Sequence, residues 1–112
     1  MEVKMSRYIE VHITCPSEEE GMLIAHTLIE RHYVACVYII PIRSFYFWEN
    51  HLCDDSEVVL FAKTKDTLFK QYIIPTVKSM HSYEVTEITA FPVVDADPDF
   101  LAWVDEQLVR EE

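Results

Sequence analysis

Residues 34–49 read VACVYIIPIRSFYFWE, and the way this stretch folds decides the way the chain folds. Arg43 is its only charge before Glu49, in a protein whose formal net charge is -11. β-branched and aromatic residues dominate it and Pro41 is its single breaker, so it reads as a strand. At about 3.3 Å per residue, a continuous strand from Cys36 to Glu49 would run roughly 45 Å. A compact domain of about 100 residues has a radius of gyration near 13 Å and is only about 35 Å across. The strand therefore bends at Pro41 or projects beyond its own domain. Either way Phe45, Tyr46, Phe47 and Trp48 reach ground that one subunit cannot cover, which argues for an oligomer.

Ahead of this stretch, residues 1–6 read as a frayed start. Tyr8 to Ile13 is a first strand with Ile9, Val11 and Ile13 on one face and Tyr8, Glu10 and His12 on the other. Pro16-Ser17-Glu18-Glu19-Glu20 opens a helix: Ser17 caps it, Glu20 completes a capping box, and the acids suit the positive end of the dipole. Met22, Ala25, Leu28, Ile29 and Tyr33 follow at helical spacing, and the helix is expected to end near Arg31-His32.

Beyond it, Asn50 to Ser56 is polar and reads as a turn, which brings the chain back through a third strand, Glu57 to Thr64. That strand is apolar on both faces in its middle, as a central strand is. Lys65-Asp66-Thr67 starts a second helix that faces Leu68, Phe69, Tyr72, Ile73 and Val77 inward. Pro75 lacks the amide that would bond toward Gln71, so a kink or break is expected there. Val85 to Val94 is a fourth strand. Asp97-Pro98 is a cap followed by a first-turn proline, opening a last helix that buries Phe100, Trp103, Val104 and Leu108. The order β-α-β-β-α-β plus a terminal helix predicts an α+β, ferredoxin-like sandwich with an extended β-hairpin, a single domain over 1–112. Its second sheet face is bare unless another subunit or the last helix covers it.

Composition narrows the function. The acidity argues against nucleic acid and anionic membrane surfaces, and no apolar run approaches the ~20 residues of a membrane span. Three scattered cysteines without a CxxC point away from a disulfide framework and toward the cytoplasm. The single glycine, Gly21, rules out a glycine-rich phosphate cradle. No catalytic motif can be specified, so the reading is non-enzymatic.

Several segments together resemble the CutA-type divalent-cation tolerance proteins. They are Thr14-x-Pro16-Ser17-Glu18-Glu19, Ala35-Cys36-Val37 with Ile39-Ile40-Pro41, the hairpin Ile42 to Glu49, and Asp55-Ser56-Glu57 with Lys63-Thr64. His81-x-Tyr83-Glu84-Val85-x-Glu87-Ile88 and Pro98-Asp99-Phe100-Leu101-x-Trp103 complete the set. The resemblance implies a ferredoxin-like subunit in a trimer assembled through the hairpins, with a cytosolic role linked to divalent metals, copper ahead of zinc. It also implies copper ligands at the positions held here by Ile13, Met80 and His81, of which only His81 keeps the family's residue. The glycine usual after Pro41 is missing, and Ser82 and Thr86 replace the prolines that flank Tyr83-Glu84-Val85.

His81 is thus the principal metal candidate, with Glu84 beside it, since imidazole suits copper and zinc and a carboxylate can complete or orient the set. The bland alternative is a histidine that fixes its loop by bonding backbone. Cys36 offers a thiolate, but a free cysteine usually behaves as a small buried hydrophobe. Cys15 lies near the family's cysteine position and is a further candidate. Tyr46, Trp48, Glu49, Lys63 and Tyr83 form a second constellation, read as interface packing or as the lining of an inter-subunit cleft for a small-molecule or protein partner.

Overall fold

The computed structural model describes residues 7–110; the frayed start expected at residues 1–6 lies outside them. The chain runs β1 (Tyr8–Cys15), α1 (Glu18–Glu30), β2 (Cys36–Trp48), β3 (His51–Lys65), α2 (Ile74–Met80), β4 (Ile88–Pro92) and α3 (Pro98–Gln107). The strands form one antiparallel sheet in the order β2-β3-β1-β4, the split βαβ arrangement.

β1 shows why this sheet has one core face. Its residues alternate strictly, with Ile9, Val11, Ile13 and Cys15 buried and Tyr8, Glu10, His12 and Thr14 half-buried. Register places Ile13 opposite Leu60 and Val11 opposite Ala62, so the buried residues of both strands share one side. Ile24 and Leu28 of α1, Val77 of α2 and Val104 of α3 pack against them. β3 is central, as its doubly apolar middle requires, and is buried without interruption from Glu57 to Leu60.

The caps are local and form as expected. Ser17 Oγ accepts from the Glu20 amide at 3.1 Å, and Asp97 accepts from the Phe100 amide at 3.3 Å. The Glu20 side chain does not close a capping box but reaches across to the Ser82 amide at 3.3 Å. Helix α1 turns Gly21, Ile24, Ala25 and Leu28 inward and leaves Met22 and Ile29 exposed, the close approach at Gly21 fixing its phase. A Cβ on Gly21 would come within 3.1 Å of Val58 and 3.3 Å of Leu60. Trp103, expected inside, is 41% exposed at the rim of α3.

The missing amide of Pro75 is met by a change of helix type. A 3-10 turn at Asp66–Leu68 leads into a π-helical turn at Phe69–Ile73, and α2 then restarts with the proline in its first turn, where no donor is needed. The fourth strand is shorter than expected, since residues 85–87 form the loop that leads into it.

The hairpin departs furthest from expectation. Pro41 does not bend the strand: it sits opposite Val58 in a register that continues from Cys36↔Lys63 to Trp48↔His51. The turn is Glu49-Asn50 alone, with φ of 49° and 66°, and residues 51–56, expected as a loop, are strand. Two successive left-handed residues match the right-handed twist of the strands; Asn tolerates this conformation, while Glu49 adopts it at a cost of about 1–2 kcal/mol. The hairpin therefore projects. The molecule measures 44 × 35 × 25 Å with a radius of gyration of 15.0 Å. α3 does not cover the open sheet face, where Tyr38 remains 54% and Phe91 47% exposed. Among the described residues no helix is long and apolar enough to cross a membrane.

Candidate functional site

Where the hairpin leaves the domain, its helix-free side faces the loop of residues 81–87 across a cleft of about 620 Å3. Strand alternation puts Tyr46 and Trp48 on this side, and the register of β3 adds Glu57. The loop contributes Tyr83, Glu84 and Glu87. The Tyr83 hydroxyl donates to Glu57 Oε2 at 2.6 Å, and the Tyr46 hydroxyl donates to Asp55. Burial, reinforced by Glu57, pushes the Tyr83 phenol up; the bond to Asp55 pushes that of Tyr46 up to about 12. Both phenols are neutral donors at neutral pH. Among the described residues no Lys, Arg or His lines the cleft.

His81 builds the loop. Its ring Nε2 lies 2.6 Å from the Thr14 carbonyl and its Nδ1 accepts from the Tyr83 amide at 3.0 Å. A carbonyl only accepts and an amide only donates, so this pairing requires the Nε2–H tautomer and uses both nitrogens. The side chain is fully buried, with Glu20 3.4 Å from Nδ1. The ring fixes backbone, and a metal would reach it only by displacing the Tyr83 amide.

The other sequence-nominated residues separate. Cys15 faces the core and is fully buried, and that burial, with Glu20 and Glu57 nearby, pushes its thiol up to about 12, far from the thiolate a metal needs. Cys36 is half-buried on the open sheet face, in register with Lys63. Glu84 is exposed on the loop. Among the described residues no three His, Cys, Asp or Glu come together to hold a metal ion. His81, Glu84, Cys36 and Cys15 therefore do not form one ligand set within the subunit.

In the second constellation, Tyr46, Trp48 and Tyr83 do meet. Lys63 lies elsewhere, bound to Glu10 and 5.3 Å from the Tyr38 ring centroid, and Glu49 belongs to the turn. Sequence reasoning missed Glu57 and Glu87 as site residues. The signal for Glu57 was its register: counted from a two-residue turn at Glu49-Asn50, it falls on the side of Tyr46 and Trp48.

The sequence profile of the CutA1 divalent ion tolerance protein family matches residues 9–107. The chain is 40% identical over 96 residues to the divalent-cation tolerance protein CutA of Archaeoglobus fulgidus, covering 86% of this chain and 93% of that one. It is also 40% identical over 93 residues to the mouse protein CutA, matching 82% of this chain but only 52% of that relative, about half its length. Among solved structures, the divalent cation tolerance protein (Cut A1) of Thermus thermophilus superposes with a TM-score of 0.86 at 36% identity, over 91% of this chain and 99% of that one.

Proposed function

The chain belongs to the CutA1 divalent ion tolerance protein family, and from that premise we propose that it serves divalent-cation tolerance in the cytoplasm as a homotrimer assembled through the Cys36–Glu49 hairpin. The observation that supports the assembly is the hairpin's exposure: Phe45 66%, Phe47 74%, Trp48 42% and Leu52 66%. Apolar side chains gathered on a projecting element mark a surface meant for a partner, and a second and third copy are the partners always at hand. In this reading the protein binds rather than catalyses.

Copper is the first candidate ion and zinc the second, since imidazole suits both. One subunit lacks a ligand set among its described residues, so the ion would be held by groups from two subunits or by a loop of residues 81–84 that releases the Tyr83 amide from His81. Calorimetric titration with Cu2+ and Zn2+, wild type beside His81→Ala, tests this. Stoichiometric binding that the variant loses assigns the ion to this loop. Equal affinity in both moves it elsewhere, and no tight binding in either ends the metal reading.

The cleft favours a second reading, a regulatory trimer that takes a small ligand or protein partner between subunits, with metal incidental. Its volume of about 620 Å3 lies within the roughly 300–1,000 Å3 of small-molecule sites.

A further inference from the structure

We infer that the cleft between the hairpin and the loop of residues 81–87 is a site for an organic cation: a primary ammonium group carried on an apolar body. The inference rests on the second reading above, in which the cleft takes a small ligand, and names the class of that ligand.

Glu57 carries the argument. It is only 7% exposed, yet among the described residues its hydrogen-bond donor is the neutral Tyr83 hydroxyl and no cation pairs with it. A buried carboxylate without a positive partner is costly, and the cost is relieved when a cation arrives. Half-buried Glu10 does pair with Lys63 and His12, and the exposed Asp105 pairs with Lys65. Glu57 is more deeply buried than either, has no such partner among the described residues, and faces a cavity.

The surroundings point the same way. Glu84 and Glu87 add two carboxylates, and no Lys, Arg or His among the described lining residues offsets them. An anionic ligand would be repelled, and a neutral one would leave Glu57 as it is. The walls distinguish an organic cation from a bare metal ion. Tyr46, Trp48 and Tyr83 offer aromatic surface, which attracts an ammonium group through the ring quadrupole and buries its apolar body. The carboxylates, meanwhile, do not gather into a metal-ligating group among the described residues.

Trp48 supplies the readout. The chain holds two tryptophans, so Trp103→Phe, at the far α3 rim, leaves Trp48 as the only one. Benzylammonium and benzyl alcohol share a shape and differ in charge. In the assembled Trp103→Phe protein, benzylammonium should quench Trp48 saturably and bind at least about tenfold tighter than benzyl alcohol, and Glu57→Gln should remove most of that preference. If Glu57→Gln fails to fold, the exposed pair Glu84→Gln and Glu87→Gln should weaken benzylammonium binding alone. Equal affinity for both probes, or a preference untouched by the carboxylate variants, overturns the ammonium assignment while leaving the cleft a ligand site. Silence toward both probes overturns the cleft reading itself, as when the neighbouring chain fills it.

Discussion

Between Val58 and Thr64, β3 buries Val58, Leu60, Ala62 and Thr64 on one side and Val59 on the other; between His51 and Ser56, the same strand carries Leu52 66% exposed. Both halves pair with β2 in one unbroken register. They differ in what lies above them. The domain half has helices on one side and an open sheet face on the other, so its deepest burial lies on the helix side. Among the described residues the projecting half has no helix on either side, yet Phe45 and Phe47 point one way and Tyr46 and Trp48 the other. Backbone pairing thus extends a strand beyond its domain, but it does not tell the side chains where to find cover. Among the described residues nothing supplies that cover.

Trp48→Asp is the sharpest way to break the comparison. A charge set into a desolvated contact without a partner is costly enough to abolish assembly. Light scattering should report a trimer for the wild type and a 13.2 kDa monomer for the variant, with the subunit still folded by circular dichroism. A variant that stays trimeric would show that the projecting half is not the assembly device.

Leu60→Ala tests the other half. Leu60 is fully buried opposite Ile13, and removing its side chain leaves a cavity that costs about 2–5 kcal/mol. Urea denaturation should place its midpoint well below the wild type's, whereas Phe47→Ala, at 74% exposure, should change the stability of a dissociated subunit by less than about 0.5 kcal/mol. Similar losses at both positions would mean the two halves share one core.

The domain half was legible in the sequence because its signals are local. Strict alternation over residues 8–13, Ser17 before three glutamates and Asp97 before Pro98 each dictate structure within a few residues. The projecting half was less so. A turn without glycine gives no signature, and the largely polar start of an exposed strand, His51 to Ser56, looks like a loop. That misplacement hid Glu57 from the site, while Tyr46, Trp48 and Tyr83 could be found from period two and family resemblance. His81 shows a different limit: residue type announces a metal ligand, but only coordinates reveal that both ring nitrogens are already engaged. Met22 and Trp103 were misjudged because the apolar residues of α1 spread wider than its buried face and α3 lies at the rim, where periodicity does not settle burial.

The smallest expected effect concerns the open face of the domain half, where Glu10 sits between Lys63 and His12. Burial alone would raise the Glu10 carboxyl, but the hydrogen bonds from Lys63 and His12 outweigh it and hold the group below its ordinary value of 4.5. A carboxyl with a lowered folded-state pKa binds fewer protons folded than unfolded, so its contribution to stability is complete above pH 4.5 and drains away as pH falls through the lower folded value. Glu10→Gln should therefore lose under about 1 kcal/mol near neutrality, the group being partly solvated. The gap between wild type and variant should close on acidification below pH 4.5, read from urea midpoints at successive pH values in the monomeric Trp48→Asp background. A gap that widens instead would mean that Glu10 is held up by burial rather than down by Lys63, and the open face would then be as dry as the core behind it.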